Sequence, residues 1–365
     1  VVDTTDQVGR FEVEAPGGGR FVRRAELRGR SVWIRDAGQA LRTPFDTLTV
    51  AFDDTSGILW DEDNSTFSQR DAYFHATRAR ALVRALDPGT ALQPLDRGLE
   101  LRVDDPSGHC NAYWRGDYFA FTAAGSGCPA TARIADVVYH EYAHAVTQLC
   151  YAPFSIPPDL NEGLSDYFAA TVTDQPEIGI GFRGPNTYLR EVATDRVWPA
   201  DKNGDPHLQG LIVASTLWDL RAAIGKQAAD SLFHFARYGA AVDMHDYLLD
   251  MLVVDDRDGD LTNGSPHFAP IVLKPRRGPP ARPSGITGSS GTSLSTASRA
   301  RPPCHCGFGL TWALRLPPPL SCLRWPSSLT RCSTAMPCRA MHSAPGAFAV
   351  TGCSSCMALS NSGAG

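Results

Sequence analysis

The sequence predicts an α+β protein with a β-rich first part and a helical second part, and three observations support this fold class. Short runs of β-branched and aromatic residues dominate residues 1 to about 60. Apolar residues recur at helical spacing from about residue 68 and again after Ile134. The chain has 365 residues, 43% of them apolar, which is enough for one large domain or two ordinary ones.

The same patterns predict individual elements and a division of the chain. Strands are expected at residues 10–14, 31–34, 47–52, 111–114 and 118–121, with a glycine turn at 17–19. Helices are expected at about 68–86, from 134 onward, and at 160–173, 208–224 and 228–238. The predicted parts are a β-rich segment (1–65), a first lobe (66–150), a helical lobe (151–273) and a tail (274–365).

The tail differs in composition from the rest of the chain. It holds ten basic residues, no Asp or Glu, and seven of the ten cysteines, whereas residues 1–273 carry a net charge of −15. Three interpretations are a disordered basic extension, a disulfide-bonded module with one odd cysteine, and a reading-frame error; we favour the first or the third and assign the tail no function. Nucleic-acid binding is not expected, because the arginines are diffuse and Trp312 and Trp325 are isolated.

The compartment is inferred from the ends of the chain and from its cysteines. No window approaches the roughly 18 to 20 apolar residues that cross a bilayer, so no membrane span is expected. The chain begins at Val1 without a charged and apolar leader, which indicates a mature form or a fragment. A disulfide between Cys110 and Cys128, which flank a predicted strand region, would agree with an oxidising compartment, and Cys150 would stay single unless it pairs with the tail.

The strongest chemical signal is the run His140-Glu141-Tyr142-Ala143-His144. Residues four apart on a helix lie one turn apart on the same face, so both imidazoles can reach one metal ion. The surrounding apolar stripe predicts partial burial, where unpaired ionisable groups are unfavourable. The pattern is typical of zinc hydrolases, and two solvated histidines beside a surface Glu are the alternative.

A third ligand is needed, because a catalytic zinc takes three protein ligands and keeps a fourth position open. We predict Glu162, which lies 18 residues after His144, beyond a Pro-rich turn and at the start of the next helix. Asp166 follows one turn later on the same face, where it can accept the second ring N–H of a ligand His. A solvated acidic face is the alternative for these two residues.

Two blocks, residues 140–147 and 161–166, resemble those of thermolysin-like and fungalysin-like zinc metallopeptidases, the gluzincins. Asn-Ala-Tyr-Trp at 111–114 is similar to the substrate-facing edge strand of that family, and His-Leu-Gln-Gly-Leu-Ile at 207–212 to its catalytic His block. The resemblance covers roughly residues 70–267. It implies a zincin-type, two-lobed fold with the active-site helix between the lobes.

The resemblance also implies roles for single residues. Glu141 would act as general base and then as general acid, and His207 would donate a hydrogen bond to the oxyanion of the tetrahedral intermediate. Asn111 and the carbonyl group of Ala112 would hold the substrate backbone as an added strand. Arg190 would bind a substrate carbonyl group, with a surface Arg as the alternative.

The sequence departs from the family pattern at two points. Asp201 and Asp205 both lie near His207, but neither is at the offset of the acid that usually orients this His. The Tyr expected before the third ligand is replaced by Pro153, with Tyr151 two residues earlier.

A second metal site is left open at the acidic loop Asp255–Asp260. Its carboxylates could bind calcium, but Gly259 is not at the sixth position of an EF-hand loop, so a solvated acidic turn is the alternative.

Together these observations predict a secreted, monomeric zinc endopeptidase that acts on proteins or peptides. The main alternative is a catalytically degenerate module of the same fold that only binds. The retained Glu141 favours the enzyme, and the missing Tyr and the unusual tail favour the module. A zinc-dependent hydrolase of nonpeptide amides is the third hypothesis.

Overall fold

The computed structural model describes residues 19–51, 57–89 and 91–273. The strands are β1 (Arg20–Glu26), β2 (Val32–Asp36), β3 (Phe45–Ala51), β4 (Leu99–Asp105), β5 (Ala112–Trp114), β6 (Tyr118–Thr122), β7 (Glu177–Ile178) and β8 (Arg190–Glu191). The α-helices are α1 (Phe67–Leu86), α2 (Ala135–Tyr151), α3 (Pro158–Thr173), α4 (Pro206–Ile224), α5 (Lys226–Ala236), α6 (Met244–Asp255) and α7 (Phe268–Val272). This mixture of helix and sheet confirms the α+β class. The predicted strand at 10–14 and the tail at 274–365 lie outside the described residues.

The main sheet places the strand β5 at an edge beside α2. Its order is β2-β4-β6-β5, with β2, β4 and β6 parallel and β5 antiparallel to β6. Along β2 the buried positions alternate, so one face of the sheet packs towards the helices α1 and α2. Among the described strands, β5 pairs only with β6, which leaves the other edge of β5 open.

Sequence periodicity predicted the helices α1 to α5, and the structure confirms them to within a few residues. It missed the strands β1, β4, β7 and β8 and the helices α6 and α7. The alternating Leu99, Leu101 and Val103 were a readable signal for β4, since all three face the core side of the sheet. The helix α6 was not predicted, because several Asp residues interrupt its apolar stripe. No helix in the described ranges is both long and apolar enough to cross a membrane.

The helix α2 runs through the core. Almost all of its side chains are buried, including Asp136 at its N-terminus, whose carboxylate accepts the backbone N–H groups of Gly179 and Ile180 at 2.9 and 3.0 Å. These bonds join the first turn of α2 to the segment that leads from β7 to β8. The predicted disulfide between Cys110 and Cys128 is present, and Cys150 is buried with a free thiol.

A buried polar network joins the end of α1 to α5. The imidazole Nε2 of His234 lies 3.1 Å from Oδ2 of Asp87, and Nη2 of Arg237 lies 2.6 Å from Nδ1. A guanidinium group can only donate, so Nδ1 accepts and the proton of the neutral imidazole is on Nε2. Tyr238 donates to the same oxygen of Asp87 at 2.5 Å. Each member thus fixes the orientation of the next.

We expect this network to make the protein less stable in acid. Burial and the charge of Arg237 lower the pKa of His234 to about 3, although Asp87 acts in the opposite direction. A His of the unfolded chain has a pKa of about 6.5. As the pH falls between these two values, the unfolded state takes up a proton that the native state does not, so the free energy of unfolding decreases.

Urea unfolding at about pH 7 and about pH 5 tests this expectation. His234→Gln is the matched variant, because the amide can still donate to Asp87 and accept from Arg237 but does not titrate. Its stability should fall less between the two pH values than that of the wild type. An equal fall in both proteins would contradict the role assigned to His234.

Candidate metal centre

The helix α2 brings two imidazoles together in a buried setting. The Nε2 atoms of His140 and His144 lie 3.1 Å apart, with the two rings nearly perpendicular. With the carboxylate of Glu141 they form a group whose ligand atoms all lie within 4.8 Å of one another. Each of the three side chains belongs to a residue that is no more than 9% exposed. The periodicity of the helix is enough to produce this cluster.

The next helix supplies a carboxylate to the same cluster. Glu162, in the second turn of α3, places Oε2 at 3.1 Å from Nε2 of His140 and Oε1 at 3.8 Å from Nε2 of His144. The chain reverses between Tyr151 and Pro158, so α3 packs beside α2 with Glu162 facing the imidazoles.

The spacing of these donor atoms fits a zinc ion. Bonds of about 2.0–2.1 Å in a tetrahedral arrangement separate neighbouring ligand atoms by about 3.3 Å. The separations here are 3.1, 3.1 and 3.8 Å. Two imidazole nitrogens this close cannot both point lone pairs at each other without a proton or a cation between them. His140, His144 and Glu162 are therefore the residues that would hold the ion.

A second layer of contacts orients both imidazoles. Oδ1 of the fully buried Asp166 lies 2.8 Å from Nδ1 of His140, and the hydroxyl group of Ser165 lies 3.0 Å from Nδ1 of His144. Arg190 donates from Nε and Nη2 to both oxygens of Asp166 at 2.6 and 2.7 Å. The ring nitrogens facing away from the cluster thus each meet an oxygen atom, which is the usual support of metal-binding imidazoles. Sequence reasoning missed Ser165.

Charge in the cluster favours a bound cation. Burial alone would raise the pKa of Glu162, but the hydrogen bond and charge of His140, with the charges of His144 and His207, lower it to about 2. Burial likewise opposes protonation of His140, yet Asp166 and Glu162 outweigh it and raise the pKa of His140 to about 10. Burial and the neighbouring His140 lower the pKa of His144. Without an ion, a proton on His140, which contacts the carboxylates of Asp166 and Glu162, would supply the positive charge that offsets these two carboxylates.

The cluster lies at the bottom of an open cleft of about 280 Å³. Glu141 faces this cleft beside the imidazoles, where a substrate can reach it. The residues that line the cleft come from β5, α2, the turn before α3, α3 and α4: Ala112, Tyr113, Trp114, His140, Glu141, His144, Gln148, Ile156, Asn161, Glu162 and His207.

His207 reaches the cleft from the start of α4. Its side chain is 54% exposed, and its Nε2 lies 3.3 Å from Oε2 of Glu162. Asp205 is the N-cap of α4, and its Oδ1 lies 3.9 Å from Nδ1 of His207. Asp201 instead accepts a backbone N–H group in its own turn. Of the two acids left open by the sequence, Asp205 is therefore the one that faces His207.

The edge strand forms one wall of the cleft. Ala112 and Trp114 line it, whereas the backbone of Asn111 is held by Thr122, whose N–H and hydroxyl groups both donate to the carbonyl oxygen of Asn111. The indole N–H group of Trp114 donates to Oε1 of Gln148 at 2.7 Å, which ties β5 to α2. Gln148 lies one turn after His144, but an isolated Gln carries no signal that sequence reasoning could use.

Asn111 and Arg190, two of the three predicted substrate-binding residues, are not among the residues that line the cleft, and neither are Tyr151 and Pro153. Arg190 donates two hydrogen bonds to the carboxylate of Asp166. Tyr151 is buried at the end of α2, and Pro153 follows in the connection to α3. The one Tyr among the residues that line the cleft is Tyr113, and its hydroxyl group donates to Oδ2 of Asp105 at 3.0 Å.

The acidic loop after α6 satisfies its own carboxylates. Asp255 accepts from the backbone and ring of His267 at 2.6 and 2.7 Å. Asp258 accepts from the backbone N–H group of Asp260 and from the amide of Asn263. The carboxylates of Asp255 and Asp258 thus accept hydrogen bonds from neighbouring residues of the same turn. Calcium binding there remains a prediction.

Comparisons with known proteins give little beyond this geometry. No protein-family model matches the chain, and no curated protein matches it. Among solved structures, the chain is similar to one described as the precursor of protealysin, a metalloproteinase from Serratia proteamaculans. The two share 17% sequence identity with a TM-score of 0.46, over 66% of this chain and 83% of that chain.

Proposed function

We propose that the chain is a zinc-dependent endopeptidase. The observation that carries this proposal is the position of Glu162, whose two carboxylate oxygens lie 3.1 and 3.8 Å from the imidazole nitrogens of α2. A second carboxylate, that of Glu141, lines the cleft beside them. Three ligands and an adjacent base are the composition of a catalytic zinc site.

The open edge of β5 supports a peptide as the substrate. An extended chain can add to an unpaired strand edge through its backbone, so binding depends little on side chains. Ala112, Tyr113 and Trp114 offer such an edge along the cleft. This arrangement favours cleavage within a chain, because recognition through the backbone of an added strand does not require a terminal residue.

The reaction then follows from the positions of the side chains. A zinc ion would supply a Lewis acid that polarises water and the scissile carbonyl group. Glu141 takes the proton of the attacking water and passes it to the departing amine nitrogen. His207, which lines the same cleft, donates to the oxygen on which negative charge develops. The carboxylate of Asp205, with Oδ1 3.9 Å from Nδ1 of His207, favours the protonated imidazole through its charge.

Secretion is part of the proposal and is supported by the disulfide, because such bonds persist in oxidising compartments. A binding module of the same architecture is the second candidate. The observation in its favour is that the one Tyr in the cleft lining, Tyr113, donates its hydroxyl group to Asp105.

Removal and return of the metal tests the proposal. The purified chain should bind one equivalent of zinc and hydrolyse casein, lose that activity on dialysis against a chelator, and regain it with stoichiometric zinc. Activity that survives complete zinc removal would overturn the assignment. A protein that is fully zinc-loaded and cleaves no protein or peptide would instead be the binding module.

A further inference from the structure

Two glycines meet where α3 and α4 cross. Gly163 follows the proposed ligand Glu162 directly, and Gly210 lies one turn after His207. A Cβ atom on Gly210 would lie 2.7 Å from the backbone nitrogen of Gly163 and 2.8 Å from the carbonyl oxygen of Asp159. A Cβ atom on Gly163 would lie 2.2 Å from the carbonyl oxygen of Gly210. The two helix backbones are therefore in direct contact here.

A polar contact on the same side reinforces this crossing. The side-chain amide of Gln209 donates to Oδ2 of Asp159 in the first turn of α3, and its Oε1 accepts the backbone N–H group of Gly204 at 3.2 Å. Gln209 is 8% exposed, so this link is largely shielded from water. It joins α3, α4 and the loop before α4 within one turn of His207.

We propose that Gly163 and Gly210 set the depth at which α4 sits on α3, and that this depth positions the imidazole of His207 over Glu162. The proposal rests on the function proposed above for this cleft. Gly210 touches no substrate, so it is a positioning residue that acts through His207. The close crossing explains how a residue at a helix start, 54% exposed, comes within 3.3 Å of a largely buried carboxylate.

Gly210→Ala should displace His207 without removing it. Ordinary contacts of a Cβ atom begin at 3.4 Å, so the helices must separate by a few tenths of an ångström to about 1 Å. The helix α3 carries Glu162 and packs on α2, so α4 is the helix that moves. A misplacement of about 1 Å can lower a rate about 100-fold, and we expect a loss of about 10- to 100-fold in kcat with KM changed less.

A double-mutant cycle with His207→Ala separates positioning from general damage. If Gly210 acts through His207, Gly210→Ala should change kcat by less than about threefold when His207 is already absent. Ala222→Gly, at an exposed position near the far end of α4, is the control that weakens the same helix without touching the crossing. Its kcat should stay at the wild-type value. Gln209→Ala is a milder variant of the crossing and should show the same dependence on His207.

A structural readout makes the test independent of activity. In metal-free protein, NMR should show a proton–proton contact between the ring of His207 and the side chain of Glu162 in the wild type and in Ala222→Gly, and a weaker one in Gly210→Ala. An undiminished contact in Gly210→Ala, or an equal loss of kcat with and without His207, would overturn the proposal. If zinc-loaded wild type cleaves no peptide, the proposed function fails, while the NMR comparison still decides the role of the crossing.

Discussion

Glu141→Gln is expected to abolish most peptide hydrolysis while leaving the fold and the bound metal in place. The amide has the size of the carboxylate but cannot accept the proton of the attacking water or return it to the departing amine. Loss of a positioned general base lowers rates by about 10²- to 10⁴-fold. The zinc content should not change, because the three proposed ligands, His140, His144 and Glu162, are untouched.

Steady-state hydrolysis of an internally quenched peptide, measured beside zinc content, checks this result. Glu62→Gln is the matched control, since the Glu62 side chain is 67% exposed and is not among the residues that line the cleft, and its ion pair with Arg70 is solvent-accessible. The control should hydrolyse the peptide at the wild-type rate. An unchanged kcat in Glu141→Gln would contradict the assignment of Glu141 as the general base.

The second large effect is expected for Asp166→Asn. Asp166 is fully buried and lies within 2.8 Å of both His140 and the guanidinium of Arg190, so the substitution leaves a buried positive charge without its partner. Breaking a buried pair from one side destabilises a protein by about 3–5 kcal/mol. The Asn amide keeps one oxygen but loses the negative charge, and replacing the carboxylate behind a ligand imidazole typically lowers metal affinity by about 10- to 100-fold.

The double variant Asp166→Asn/Arg190→Met separates these two effects. Removing the guanidinium should restore much of the free energy of unfolding, because no buried charge is left unpaired. Zinc affinity should stay low, because His140 still lacks its carboxylate partner. Urea unfolding and competition with a zinc chelator measure the two quantities. Recovery of zinc affinity in the double variant would contradict the orienting role of Asp166.

The sequence was most informative where spacing along one helix decides geometry. His140 and His144 meet because residues four apart on a helix share a face, and that rule needs no knowledge of the fold. Glu162 required one further assumption, a chain reversal between two helices, which the Pro-rich turn signals. The strand β5 and the disulfide beside it were likewise accessible from local pattern and spacing.

Other contacts could not be predicted, because they depend on how distant elements pack. Ser165 and Gln148 have no unusual local sequence, and only the packing of α3 and β5 against α2 brings them to His144 and Trp114. The choice of Asp205 over Asp201 depends on which of them caps α4. The crossing at Gly163 and Gly210 is visible only when both backbones are placed.

The Cys110–Cys128 disulfide bears on how the protein is handled. The disulfide links the two ends of a segment that contains all of β5 and β6. It therefore restrains β5, the strand that forms one wall of the cleft. When the chain is produced in a cytosol that keeps thiols reduced, we expect the helices to fold, since the core around α2 needs no disulfide. We expect β5, which forms one wall of the cleft, to be held less firmly. Two preparations of equal purity would then differ in turnover when they differ in the fraction of molecules with this disulfide. Free thiols should therefore be measured whenever a rate is measured.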